Sequence, residues 1–499
     1  MEKRHRHWNN NWWSNSVFCM KNSLSLKSSY FEYALYALMG LIVFIPIIGS
    51  ILKSSIDCDA AYYVCMGERI VDGVIPYKEY CTGYTPLWFY IEAAFKVLFY
   101  VPDGIYWPYL VLFYSFQVAG AYFLYRLIRC LEIKKTVALF SAWLYLLMSH
   151  WLQGNFLLLE VPSVTFCLFA CWLVLEYRDR CYWHYLWIGV IASCSFLVKQ
   201  FGLGTFALCL YLMLFISKCN WKQFVSFTAG YAIPILLCLA VWGDAFINDV
   251  LLNGYGSRDA VEAGYDVSIA NKLLSIVGNL KYFCYMVCPI ICVGWLFAPL
   301  SHKQNRLIHL IFSYCGILGY SLIFYFTGGQ LHYYQYLLPF AIVLIAELVH
   351  ITQNSMWRYF VYVMIVWVVF VSAYKTYNNR VYKQYIKGTE RVQQQKLARE
   401  VLEYVGEDET LFVVHGGLFH LYFQTNVLPP NLSTIGYNFG PMGLNEKDCA
   451  EQINTADWVV RYSKDYPYES FFTDSLKHEL ERYPAISLRD SAILLHKMH

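Results

Sequence analysis

Long apolar runs separated by short polar turns dominate the first 374 residues of the chain. A helix rises about 1.5 Å per residue, so roughly 20 mostly apolar residues cover a hydrocarbon core. Runs near that length lie at 33–52, 107–128, 135–150, 157–175, 183–199, 201–217, 223–243, 281–299, 307–326, 332–350 and 357–374. The pattern predicts about eleven crossings. One further run, 86–101, is short and carries Glu92 and Lys96.

Basic residues decide how that run is placed. Let the N-terminus be cytoplasmic and let 86–101 dip into the interface without crossing. Arg126, Arg129, Lys134, Lys135, Arg178, Arg180, Lys218, Lys222, Lys303, Arg306 and Arg358 then all fall inside, as the positive-inside rule requires. The outward connections 151–156 and 327–331 hold no Lys or Arg, and the turn 199–201 holds Lys199 alone. A crossing at 86–101 would turn every later basic turn outward. The reading is therefore a cytoplasmic tail (1–32), a membrane domain (33–374) with 86–101 as a partly embedded helix, and an outward C-terminus.

Two outward loops are long, 53–106 and 244–280, and both are rich in acids. Soluble loops of that length are usually lids or binding elements. Beyond Tyr374 the chain turns polar. A helix is expected over 390–405, strands at Leu411–Val414, Trp458–Arg461 and Ala492–Leu495, and a helix near 469–482. That alternation predicts a small α/β domain over 375–499. The segment His415-Gly416-Gly417 lacks dinucleotide-loop spacing and reads as a turn.

Composition sharpens this picture. Hydrophobic residues make up 58% and charged residues 15% of the chain, far from the soluble balance. The 16 Trp and 44 Tyr suit many membrane–water boundaries. A net charge of +3 without a basic block excludes a nucleic-acid footprint. The 17 cysteines are scattered and none has CxxC spacing, so zinc and thioredoxin chemistry have no support. Cys58, Cys65 and Cys81 share one loop and could form a disulfide, although spacing does not pair them. The basic N-terminus, with no small-residue cleavage site after its apolar run, reads as a tail before a retained first span.

The chemistry gathers in the first outer loop: Asp57-Cys-Asp59-Ala-Ala-Tyr62-Tyr63, then Gly73-Val-Ile-Pro76-Tyr77-Lys78-Glu79, then Tyr84-Thr85-Pro86-Leu87. Two carboxylates two residues apart follow the outer end of the first span. A Pro-anchored helix then returns the chain to the membrane. Such a loop holds acids against the bilayer surface, where a lipid phosphate lies. Alone, each acid is equally a solvated helix cap.

This run resembles the first outer loop of GT-C glycosyltransferases, which include the protein O-mannosyltransferases and the aminoarabinose transferases of lipid A. Asp59 matches the family's catalytic Asp, Tyr63 the Tyr after it, and Glu79 an acid that is usually Asp. Glu160 begins a span from the outer side, where the family keeps a second acid. Lys199 sits where relatives often carry Lys. His332-Tyr333-Tyr334-Gln335-Tyr336-Leu-Leu-Pro339 is similar to the family's H/R-Y-x-x-x-L-x-P segment. In one departure, Tyr84 stands where relatives place a Lys that meets the donor phosphate. Lys199, His332, Arg258 or Lys78 would substitute, with Lys199 the first choice because a lone Lys at a span end needs an anionic partner or water.

The resemblance implies an inverting transferase that moves a sugar from a polyprenyl-phosphate donor to a glycan, lipid or protein acceptor at the outer face of a bacterial inner membrane. Asp59 would be the general base, with Asp57 and Glu160 in support. No cofactor is required by the family pattern, although oxygen ligands of this kind suit Mg²⁺ or Mn²⁺. A transporter or flippase for lipid-linked saccharides would instead place ionisable groups midway along broken spans. A polysaccharide polymerase would rely on Arg and His in its outer loops. The acids at the span ends favour surface chemistry.

Overall fold

The computed structural model describes residues 34, 36–80, 82–178, 180–253, 269–304, 306–327, 329–386, 390–406, 408–414, 416–432, 446–462, 478 and 480–496. Helices follow the apolar runs closely. They are α1 (Tyr36–Lys53), α4 (Trp107–Cys130), α5 (Lys135–Trp151), α6 (Glu160–Glu176), α7 (Tyr182–Val198), α8 (Gln200–Ile216) and α9 (Trp221–Phe246). Then come α10 (Ile269–Tyr282), which lies almost wholly within the stretch 244–280 expected as an outer loop, α11 (Ile290–Lys303), α12 (Leu307–Ser321), α13 (Leu338–Thr352) and α14 (Trp357–Lys375). Six helical stretches among the described residues are long and apolar enough to cross a bilayer by themselves, and the α10–α11 pair makes a seventh if counted as one span. Many of their side chains face outward: Leu41, Ile48, Leu236, Val241, Val363 and Trp367 are all largely exposed. In water such faces would aggregate; against acyl chains they are solvated.

Lipid offers no hydrophobic drive between helices, so close packing must come from small residues. A Cβ at Gly230 would collide with the Leu186 carbonyl, and one at Gly189 with the Phe227 carbonyl. The backbones of α7 and α9 therefore touch. Asn220 starts α9 with a capping box, its Oδ1 accepting from the Lys222 and Gln223 backbone N–H groups while Gln223 accepts from the Asn220 N–H.

Two further features depart from the sequence reading. The run expected as one span over 281–299 is broken: its two halves, α10 with its C-terminal extension and α11, meet at 90° just before Pro289. Proline cannot donate to the preceding turn, and hydropathy carries no information about direction. The first outer loop also contains a 14-residue helix, α2 (Cys58–Val71), ahead of the anticipated α3 (Leu87–Phe99). Cys58 and Cys65 are free thiols, and Cys81 lies outside the described residues.

The C-terminal part consists of α15 (Glu390–Leu402), β1 (Leu411–Val413), α16 (His420–Thr425), α17 (Glu446–Thr455), β2 (Trp458–Tyr462), β3 (Ala485–Ser487) and β4 (Ala492–His496). The strands form one sheet in the order β1-β2-β4-β3. β1 and β2 are parallel, and the other two pairings are antiparallel. The helix expected near 469–482 lies almost wholly outside the described residues. Phe419, Leu421, Tyr422 and Phe423 share one apolar cluster with Tyr62, Tyr63, Trp88, Tyr106 and Tyr109. The domain is thus fused to the first outer loop through a common core.

Candidate functional site

Asp57 and Asp59 sit at the start of α2. Asp57 precedes the helix with an extended backbone, φ −71° and ψ 156°, and its carbonyl accepts from the Ala61 N–H at 2.8 Å. Asp59 lies in the first turn, where the unpaired N–H groups of the helix favour negative charge. Both are half-buried. Burial, reinforced by the neighbouring charge of Asp59, pushes the Asp57 carboxyl up to about 6. Tyr63 follows Asp59 by one turn and is buried; its hydroxyl lies within electrostatic reach of Asp59, Tyr84 and Glu160. The Tyr63 and Tyr84 rings meet edge to face at 5.1 Å.

Glu160 and Lys199 form the second half of the cluster. Helices α6 and α7 are joined by a short turn and run antiparallel, so the N-terminus of one lies beside the C-terminus of the other. Glu160 heads α6 and Lys199 caps α7. The positive end of one helix dipole therefore faces the acid and the negative end of the other faces the base. The two side chains are ion-paired, with Glu160 0% and Lys199 3% exposed. Such a pair is tolerated in a dry setting only when each charge has its counter-charge. The Lys199 ammonium also lies over two rings, 5.7 Å from the centre of Tyr84 and 5.2 Å from that of Tyr333. Lys199 thus packs over the ring of Tyr84, the residue two positions before Pro86.

His332, in the turn Leu331–Gln335 ahead of α13, completes the group. Its backbone N–H donates to Gln153 Oε1 at 3.1 Å, and Nδ1 lies 3.1 Å from the same oxygen, which leaves Nε2 3.8 Å from Glu160. Gln153 has φ 66°, a left-handed conformation rare for a side chain with a Cβ. A buried polar net holds the turn around it. Gln117 donates to Ser149 Oγ and to the Gly154 carbonyl, and Gln335 donates to the carbonyls of Ser149 and Leu152. A Cβ at Gly154 would strike Ser149. Gln200, next to Lys199, donates to the Gly83 carbonyl at 2.8 Å and ties the first loop to the α7–α8 turn.

The structure thus brings together Asp57, Asp59, Tyr63, Tyr84, Glu160, Lys199 and His332. Glu79 and Lys78 are not part of the cluster; both are exposed on the turn Pro76–Tyr80. Arg258 lies outside the described residues. Sequence reasoning gave no role to Gln153, Gln200 or Tyr333. The glutamines hold the turns by backbone contacts that no motif announces. Among the described residues no three His, Cys, Asp or Glu side chains converge as a metal-holding group, and no cation site is assigned.

The arrangement offers a carboxylate pair at a helix start and, across two tyrosines, a cation with an acid and an imidazole. That suits proton removal at one end and stabilisation of a leaving anion at the other. No protein-family model matches the chain, and neither does any curated protein. Solved structures share its architecture, among them two of ArnT. ArnT from Cupriavidus metallidurans in the apo state superposes with a TM-score of 0.61 at 11% identity, over 94% of this chain and 98% of that one. ArnT from the same organism bound to undecaprenyl phosphate gives a TM-score of 0.61 at 12% identity, over 93% and 98%. With its apolar helices and this nearly full-length match in architecture, the chain is an integral membrane protein with the GT-C fold.

Proposed function

We propose that the chain is an inverting glycosyltransferase that uses a polyprenyl-phosphate sugar donor at the outer membrane face. One observation carries the reading: the acid-bearing start of α2 and the Glu160–Lys199–His332 cluster meet across Tyr63 and Tyr84. In addition, one ArnT structure of this fold holds undecaprenyl phosphate. About eleven crossings, a cytoplasmic N-terminus and a periplasmic C-terminus accompany this reading.

Asp59 takes the proton of an acceptor hydroxyl or amine as that group attacks the anomeric carbon. The bond from that carbon to the phosphate oxygen breaks, and its electron pair leaves with the lipid phosphate. Asp57 keeps a second carboxyl beside the base. Lys199 has three N–H donors, of which Glu160 engages one, so others are left for the leaving phosphate. His332 adds a donor or a charge on the same side. The acceptor is a glycan, a lipid or a protein.

Purified protein incubated with a panel of polyprenyl-phosphate sugars, with a membrane extract supplying glycan, lipid and protein acceptors, should release lipid phosphate from at least one of them. Asp59→Asn should lower that rate by about 10²–10⁴-fold, the usual worth of a general base, with donor binding retained. Wild-type turnover in Asp59→Asn would falsify the assignment of the base. Failure of every donor in the panel would remove the enzyme reading.

A further inference from the structure

The chain between α1 and α2, residues 54–57, is neither helix nor strand and brings Asp57, whose own backbone is extended, into the site. An irregular stretch of this kind pairs with no neighbouring strand, yet its buried polar groups need partners. One side chain, 338 residues further on, supplies two of them. Gln394 of α15 accepts the Ile56 N–H at Oε1 and donates from Nε2 to the Ile56 carbonyl, each at 2.9 Å. The amide acts as a one-residue strand, pairing both backbone groups of the buried residue immediately before Asp57. One turn earlier on α15, Arg391 Nη1 donates to the Ile51 carbonyl at 2.9 Å, in the last turn of α1. That carbonyl is one of the four a helix end leaves unpaired, and the guanidinium also matches the negative end of the helix dipole. Leu397, Ala398 and Val401 seat the same helix in the apolar cluster that holds α2.

We infer that Gln394 is a positioning residue for the acidic segment, so that the C-terminal domain of this chain sets where Asp57 and Asp59 point. Gln394 acts through the Ile56 backbone and touches neither aspartate. The inference deepens the proposed transfer reaction and rests on it for the kinetic part of its test only. A displacement of about 1 Å in a reacting group costs up to roughly 10²-fold in rate, and a segment released at Ile56 is free to shift by that much.

The test uses the full-length protein and two readouts. The first is donor turnover. The second is the rate at which a water-soluble maleimide modifies Cys58, the half-buried thiol between the two aspartates, followed peptide by peptide with mass spectrometry. In Gln394→Ala, kcat should fall roughly 10- to 100-fold with the donor KM within about twofold, and Cys58 modification should speed up several-fold. Gln394→Glu keeps the acceptor for the Ile56 N–H and should fall between the two; it carries the comparison if the alanine variant does not fold. Asn426→Ala removes the Arg69–Asn426 hydrogen bond elsewhere on the same domain contact and should leave Cys58 unchanged. Unaltered Cys58 modification in the Gln394 variants overturns the inference, whatever the rate does. Faster modification with wild-type kcat overturns it equally. A wild-type protein that cleaves no donor defeats the transferase reading alone, because the thiol measurement still decides whether the clamp holds the segment.

Discussion

At the scale of single residues, Lys199 and Glu160 define each other. Both are nearly inaccessible, and each is the nearest opposite charge to the other. Removing one partner of a buried pair strands the remaining charge, whereas replacing both with apolar groups of similar size is close to neutral. Lys199→Met alone should therefore destabilise the protein by about 3–5 kcal/mol. The double variant Lys199→Met/Glu160→Leu should recover most of that loss in a denaturation assay yet remain inactive with any donor. If the double variant transfers sugar, the pair is structural and the phosphate is met elsewhere. Sequence position alone already brought these two residues to the same membrane side, since one begins an inward span and the other ends an outward one. What the sequence did not disclose was their contact, or that Tyr84 would lie beneath the lysine. Gln153 was legible only as part of a turn, because its left-handed backbone and its hold on His332 depend on a net of buried amides from two distant segments.

At the scale of elements, spans were legible and their surroundings were not. A crossing helix must be apolar around most of its girth, and that signal is strong. Helix α2 carries Asp59, Glu68 and Arg69 among Tyr62, Tyr63, Val64 and Met66, and it buries its apolar face against protein instead of lipid. It resembles neither a loop nor a span, and hydropathy passes over it. The 90° break before Pro289 escaped for a related reason: an apolar run reads the same whether straight or bent. Helix α16 shows how firmly the C-terminal domain is docked on α2. His420 is buried, with Nδ1 3.2 Å from the Gly417 carbonyl, and burial holds its imidazole down to about 4. The unfolded histidine takes a proton near pH 6.5 while the docked one resists it, so its contribution is present above pH 6.5 and drains away as pH falls toward 4. That is worth up to about 3 kcal/mol across the window. Amide protection over 411–425, corrected for the intrinsic slowing of exchange in acid, should fall between pH 6.5 and 4, and His420→Gln should flatten the change. A whole-protein melt would confuse the matter, because Asp57, raised to about 6, contributes in acid and loses its effect as pH rises. An equal loss of protection in both proteins sinks the account.

At the scale of the whole molecule, the membrane part and the C-terminal domain share one apolar cluster, with Tyr106 and Tyr109 of the membrane side 6.3 Å from Phe423. Whichever side holds the site must therefore hold the domain. Protease added to intact spheroplasts should remove a tag at the C-terminus and spare one at the N-terminus. The reverse pattern would place the aspartates in the cytosol and end the outer-face reading. The α/β character of the tail could be anticipated from β1, β2 and β4, all three of which fall where strand-like runs were seen. The short strand β3, with its exposed ends, left no mark in the sequence pattern.

The shared lysine has a consequence for turnover. On the proposed reading, a spent carrier finds its anchor already divided with Glu160. Its hold on the protein is then weaker than a solitary ammonium would give, which favours return of the exhausted lipid to the bilayer.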